Sequence, residues 1–464
     1  MKTTPDPEAV RFRASRVHQA HAHRMIPGGA HTYAKGDDQM PEWMPVVIDR
    51  GKGAHVWDLD GNRYIEYGQG LRAVTLGHAE PRVTAAASGW LARGANFSRP
   101  ARIEAEAAEA FLDRIDGADM VKFCKDGSTA TTAAVKLARA ATGRDLVAMC
   151  GDHPFLSQDD WFIGTTPMDA GIPEAVKGLT RSFPYGDVGV LRELLDSHRG
   201  EVACVILEPV RGPEDPSEYL RAVAEVCREH GAVFVLDEMI TGFRWSDRGA
   251  QGLYGVTPDL STFGKAIGNG HSVSALAGRR DLMERGGLAT DERRVFLLSA
   301  THGAETHGLA AAVETMRIAA EEDVAGQLMA QGARLRLGVE EAVRAAGVEG
   351  FVGTAGRDCN LVFYTNGPDG VPSQSYRTLL LQELTRRGVL APSFVITTAH
   401  TDEVVEDTID RLGEALGVYA EALDAGTVDG FLVGRPVQPV FRPYAGTVWS
   451  DLSASPDSSL TPSP

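Results

Sequence analysis

Two apolar runs flanking one amphipathic stretch constrain the fold of this chain more than any other feature. Val202-Ala-Cys-Val-Ile-Leu207 has the length and β-branching of a buried strand. The stretch 219–230 carries apolar residues at helical spacing and stops at Gly231, a natural residue for the left-handed turn that ends a helix. Ala232-Val-Phe-Val-Leu236 is the next strand. Strand–helix–strand repetition predicts a parallel sheet covered by helices on both faces, and such sheets bind ligands at the carboxyl ends of their strands. Glu208 and Asp237 stand at two of those ends.

This α/β pattern spans about 71–320, the expected large domain, after an N-terminal segment over 1–70. Beyond Ile318 it changes to a long amphipathic helix over 321–345, short strands around Asn360-Leu-Val-Phe-Tyr364, and helices at 375–387 and 401–425. A smaller α+β domain is therefore expected over 321–445. Residues 1–10 and the Ser-, Pro- and Asp-rich tail 446–464 are expected to be disordered, because they bury too little to order themselves.

Composition narrows the function classes. The formal charge of −17 argues against nucleic acid as a partner, since phosphates demand a basic surface. It suits a cationic substrate, although an acidic surface is more often simply solvated. No run of eighteen apolar residues reads as a membrane span, and Met1-Lys-Thr-Thr-Pro-Asp-Pro-Glu8 lacks a secretory apolar core. Cys124, Cys150, Cys204, Cys227 and Cys359 are odd in number and scattered without CxxC spacing, so they read as reduced thiols of a cytoplasmic protein, with no zinc site.

Lys265 sits in the glycine-rich turn Ser261-Thr-Phe-Gly-Lys265-Ala-Ile-Gly-Asn-Gly270. A lysine in such a turn is most often a solvated loop residue. Together with an acid at a buried strand end, it makes the pair that pyridoxal phosphate requires. The lysine holds the aldehyde as an imine and shuttles protons, and the carboxylate of Asp237 keeps the pyridine nitrogen protonated. A P-loop is excluded, because Ala266 follows the lysine and no glycine lies at the required upstream offset. The segment Phe234-Val-Leu-Asp237-Glu-Met-Ile-Thr241-Gly-Phe-Arg244, then Thr257-Pro-Asp259, then Lys265, resembles the class III aminotransferases, and among them the glutamate-1-semialdehyde aminomutase branch. The resemblance extends through Met25-Ile-Pro27-Gly28-Gly29 and Thr75-Leu-Gly77-His78 to cover roughly residues 24–417. It implies a fold-type I enzyme with a mostly parallel seven-stranded sheet, pyridoxal phosphate as cofactor, and a homodimer with shared active sites.

Further site residues follow. Phe123-Cys124-Lys125-Asp126-Gly127-Ser128-Thr129-Ala130 leads from a strand into a helix over 131–141. A glycine and hydroxyl residues at a helix start offer bare N–H groups to a dianion, though an ordinary N-cap is the commoner meaning. The segment resembles the family's Asn-Ser-Gly-Thr-Glu-Ala phosphate loop, with Gly127 and Ser128 in place and Lys125, Asp126 and Thr129 departing from it. The family stacks a Tyr-His-Gly aromatic on the cofactor. Here Gly151-Asp152-His153-Pro154-Phe155 leaves His153, slightly favoured, or Phe155 for that task. Met239 matches an apolar residue on the opposite face, Glu208-Pro209 matches a supporting Glu-Pro, and Thr301 matches a threonine that reaches a phosphate across the dimer. Cys124 precedes the phosphate loop. Most such cysteines are inert, but a positive helix end lowers a thiol pKa, and Cys124 would then be a second base opposite Lys265.

The reaction is narrowed by departures from the aminomutase. Its Ala-Pro-Ser-x-Phe-Glu segment is Ala391-Pro-Ser-Phe-Val-Ile396 here, and the asparagine expected after Glu208-Pro-Val-x-Gly is Pro213. Lys125-Asp-Gly-Ser-Thr-Ala-Thr-Thr-Ala-Ala-Val-Lys-Leu-Ala-Arg139 and Asp160-Trp-Phe-Ile-Gly-Thr-Thr-Pro-Met-Asp-Ala-Gly-Ile-Pro173 resemble aminotransferases of aminoglycoside antibiotic pathways, gentamicin and neomycin type. Amino transfer between a small donor and a sugar aldehyde is the expected activity. The alternatives are epimerisation of an amine-bearing sugar carbon, the aminomutase reaction, and, in a different class, non-catalytic pyridoxal phosphate binding. No DNA-binding module accompanies the last.

Overall fold

A computed structural model describes residues 11–45, 47–212 and 214–444. The expectations for residues 1–10, Pro213 and 446–464 fall outside them. Near the N-terminus, β1 (Ile48–Lys52), β2 (His55–Asp58) and β3 (Arg63–Glu66) form an antiparallel meander. The large sheet contains β4 (Met120–Cys124), β5 (Leu146–Cys150), β6 (Thr180–Phe183), β7 (Val202–Leu207), β8 (Val233–Asp237), β9 (Leu260–Phe263) and β10 (Ser274–Gly278). Their order is β4-β10-β9-β8-β7-β5-β6, and only β10 runs antiparallel to its neighbours.

Side-chain alternation explains why this sheet needs two covers. Ile206 and Val235 pack with Leu137 and Val147 on one face. Val205, Leu207, Phe234 and Leu236 pack on the other with Leu220, Val223 and Val226 of helix Ser217–His230. That helix ends at Gly231 in the left-handed conformation (φ 62°), as the sequence predicts. Two fully apolar strand faces bury only if helices flank both.

The C-terminal part pairs β11 (Val352–Ala355), β12 (Asn360–Thr365) and β14 (Phe394–Val395), with helices Val324–Ala345, Gln374–Arg386 and Asp402–Ala425 against them. Between these strands in sequence, β13 (Val389–Leu390) instead joins the N-terminal meander, parallel to β3 through Val389 and Ile65. A strand from the C-terminal part thus completes a sheet begun near the N-terminus. Among the described residues no helix is long and apolar enough to cross a membrane. All five cysteines are buried and unpaired.

Candidate active site

Strand register builds the centre of the site. β8 and β9 are parallel with Asp237 opposite Thr262, so both lie at carboxyl ends, and Lys265 follows in the turn after β9. Asp237 is buried; its Oδ1 accepts the Met239 N–H and the Thr262 hydroxyl, each at 3.0 Å. Among the described residues, Oδ2 accepts no hydrogen bond. Burial pushes the Asp237 carboxyl up to about 6, against the pull of the Lys265 charge and these two donors. Burial likewise holds Lys265 below the ordinary lysine range, with Glu208 and Asp237 opposing. The backbone of Lys265 is left-handed (φ 47°), unusual for a side-chain-bearing residue and typical of positions that the surrounding structure over-determines. Gly264 allows the close approach before it: a Cβ there would lie 2.6 Å from Ser274 Oγ and 2.7 Å from Met239 Sδ.

Glu208 lies beyond the end of β7, buried, with its carboxyl pushed up to about 7 by burial and the nearby Asp237. His153 Nδ1 stands 3.9 Å from Glu208 Oε1, and its ring meets Tyr185 edge-on at 5.8 Å. Burial holds His153 down to about 4, so the imidazole is neutral, and its buried Nε2 has no partner. Phe155 is placed elsewhere. It is 48% exposed against 4% for His153, and packs on Phe162. The expectation that left both rings open is thus narrowed: only His153 is brought to Glu208, because Pro154 and Phe155 follow the chain outward past it.

The helix after β4 begins earlier than the sequence suggests, at Gly127 rather than residue 131. Asp126 caps it: Oδ1 accepts the Thr129 N–H at 2.8 Å and the Asp126 carbonyl accepts that of Ala130. The N–H groups of Gly127 and Ser128 take no partner among the described residues. Ser128 is buried, and its Oγ accepts the Gln158 N–H at 3.0 Å. A Cβ on Gly127 would stand 2.8 Å from Met239 Sδ, so this glycine and the thioether are in close contact. Lys125, beside the loop, is occupied by Glu305 at 2.7 Å. Thr301 lies exposed in a loop whose carbonyl accepts from Asn96.

Cys124 corrects the expectation of a lowered thiol pKa. It is buried with Ala130 and Met239, donates to the Asp126 carbonyl at 3.4 Å, and is pushed up to about 12 by burial and the Asp126 charge. Desolvation and a like charge outweigh the helix end.

Sequence reasoning passed over two arginines. Arg244 is fully buried and donates to the carbonyls of Ile396, Arg72 and Val74 and to Thr75 Oγ1, tying the loop after β8 to the segment 72–75 and to the C-terminal part of the chain. Arg72 donates from Nε to Asn360 Oδ1 at 2.8 Å. Its one sequence signal is the glycine-bearing run Tyr67-Gly-Gln-Gly-Leu-Arg72, which has no periodicity.

Comparison with known proteins bears on this geometry. A model of the family described as aminotransferase class-III matches residues 33–408. The chain is 35% identical over 432 residues to a glutamate-1-semialdehyde 2,1-aminomutase of Roseiflexus castenholzii, covering 88% of this chain and 98% of the relative. A second aminomutase, of Chloroflexus aggregans, is 32% identical over 433 residues, covering 87% and 98%. Among solved structures, the FumI protein of Sphingopyxis sp. MTA144, in its PLP internal aldimine form, superposes with a TM-score of 0.81 at 28% identity, covering 89% of this chain and 98% of that one. An omega-transaminase from Sphaerobacter thermophilus follows at 0.78 and 27%, covering 88% and 98%.

Proposed function

The chain belongs to the aminotransferase class-III family, and from that premise we propose that it moves an amino group to or from an aldehyde carbon of an aminoglycoside-type sugar. It is a pyridoxal-phosphate enzyme of fold type I. The choice of acceptor is carried by one observation. Where the aminomutase pattern ends in a glutamate, Phe394, Val395 and Ile396 follow Ser393, all buried, with Val395 paired to Asn360. The charge of −17 accords with a polycationic acceptor.

Pyridoxal phosphate, when bound, supplies a carbonyl that takes up an amine and a ring that absorbs the electrons of a broken Cα–H bond. Three features of this chain fit it. The unclaimed N–H groups of Gly127 and Ser128, at a helix start, would receive the phosphate. The unengaged Oδ2 of Asp237 would accept a ring N–H, and Thr262 would hold that carboxylate in place. Neutral His153, with its orphaned Nε2, and Met239, set between Gly127 and Gly264, would close on the ring. Lys265 would carry the aldehyde and then move the proton at Nζ; a dry setting keeps its neutral form accessible. Glu208 would support this group by balancing the charge of Lys265. Thr301, exposed, would reach the phosphate held by a second copy, making the working unit a homodimer, and the five unpaired thiols accord with a cytoplasmic setting.

A single-turnover assay of the pyridoxamine form against sugar aldehydes, keto acids and glutamate semialdehyde tests the acceptor. Reaction with aminoglycoside aldehydes supports the reading, and reaction only with small keto acids overturns it. The aminomutase is the second reading, favoured by the names of the relatives at 32–35% identity. Reaction confined to glutamate semialdehyde would establish it instead.

A further inference from the structure

Arg72 stands next to the Lys265 turn with its charge unmatched. Its own turn is strained: Gln69, Gly70, Leu71 and Arg72 all have positive φ (46°, 59°, 61° and 72°). Three of these carry side chains, and each such residue costs about 1–2 kcal/mol, so the conformation persists only because other groups hold it. Arg244 provides that hold through the Arg72 carbonyl at 3.0 Å. The two turns are also stitched together directly. The Gly270 N–H donates to the Ala73 carbonyl at 2.9 Å, and Asn269 Oδ1 accepts the N–H groups of Thr75 and Leu76, each at 2.9 Å.

The Arg72 side chain is aimed by the C-terminal part of the chain. Nε donates to Asn360 Oδ1 at 2.8 Å and Nη2 to Ser393 Oγ at 3.4 Å. Both partners are neutral. Among the described residues no carboxylate lies within ion-pair distance of this guanidinium, and Nη1 has no partner. Burial holds its pKa below the ordinary range, with the more distant Glu208 opposing. Arg244, the other arginine whose charge reaches Lys265, is fully buried and has Nη1 and Nη2 committed to carbonyls and a hydroxyl, leaving only an enclosed Nε without a partner. Arg72 is only half-buried, so its free Nη1 remains open to a ligand, and its planar fork matches a carboxylate.

We propose that Arg72 is the residue that binds the carboxylate of the amino donor, making the donor an amino acid rather than a simple amine. Binding is non-covalent and transfers no atom. This rests on the aminotransferase reading, but only on its donor half, so the sugar acceptor can fail independently in the assay above.

The test follows the donor half-reaction of the holoenzyme by the change in cofactor absorbance. The donors are L-glutamate, L-glutamine and L-alanine, each against its α-carboxamide. The wild type should favour the acids. In Arg72→Gln the donor Kd for the acids should rise roughly thirtyfold or more, the limiting rate should stay within about threefold, and the carboxamides should be unaffected. Arg72→Lys should recover part of the lost affinity, and it serves as the readable variant if Arg72→Gln does not fold. Absence of acid preference in the wild type, equal weakening of acids and carboxamides, or loss of cofactor in place of donor affinity would each overturn the proposal.

Discussion

Thr262 is the register partner of Asp237 across β8 and β9, and it donates its hydroxyl to Asp237 Oδ1 at 3.0 Å. One parallel pairing therefore sets the position of the carboxylate, supplies one of its two donors, and delivers the chain to Lys265 a short turn later. The other donor, the Met239 N–H, comes from the residue whose thioether abuts Gly127 and Gly264. Strand register, carboxylate and lysine are coupled through a few residues, so a small change at Thr262 reads out at Asp237.

Thr262→Val keeps the shape of the strand and removes the hydroxyl. A hydrogen bond to a charged group contributes about 1.5–3 kcal/mol, so kcat is expected to fall roughly tenfold to a hundredfold while cofactor is retained. Losing a donor to the ionised form raises the Asp237 pKa further, and the acid limb of the kcat/KM pH profile should move upward. An unmoved acid limb with unchanged kcat would disconnect Thr262 from the chemistry.

Glu208 makes a prediction about stability against pH in the cofactor-free protein. Its carboxyl titrates near 7 when folded and near 4.5 when unfolded, so between those values the folded state binds more protons. Stability from this group therefore falls as pH rises through that window and is level above it. Relative to Glu208→Gln, the wild type should lose on the order of 3 kcal/mol between pH 4.5 and 7 in denaturant titrations. A difference that grows in the opposite direction would mean that Glu208 is held ionised in the folded protein.

Cys124→Ala tests whether the thiol is a second base. With its pKa raised and its hydrogen committed to the Asp126 carbonyl, the thiol is not a competent base, and transamination should continue within about threefold of wild type. A chiral aminosugar incubated in D2O without acceptor should exchange its α-hydrogen with retained configuration. Inversion that disappears in Cys124→Ala would restore the epimerase reading.

Much of this organisation was legible in the sequence because it follows from local patterns. The apolar runs of β7 and β8, the glycine stop at Gly231 and the position of Asp237 all come from side-chain periodicity and backbone preference. The helix expected over 131–141 begins earlier, at Gly127, because an Asp126 cap and a Gly-Ser-Thr first turn carry little apolar signal. The choice between His153 and Phe155 needed the third dimension, since both are aromatic, two residues apart, and separated by a proline. Arg72 escaped notice for a related reason. Its role depends on Asn360 and Ser393, far away in sequence, and an arginine after Gly-Leu has no periodic meaning. The pairing of β13 with β3 is likewise a long-range contact that a two-residue strand cannot announce.

The central claim is that Lys265 carries the cofactor. Reducing the pyridoxal-phosphate-loaded protein with borohydride and mapping the labelled peptide by mass tests it most directly. The predicted result is a single pyridoxyl-lysine at Lys265, between Gly264 and Ala266, with no label and no turnover in Lys265→Ala. A label on Lys125, Lys122 or any other lysine, or a Lys265→Ala protein that still turns over, would contradict it.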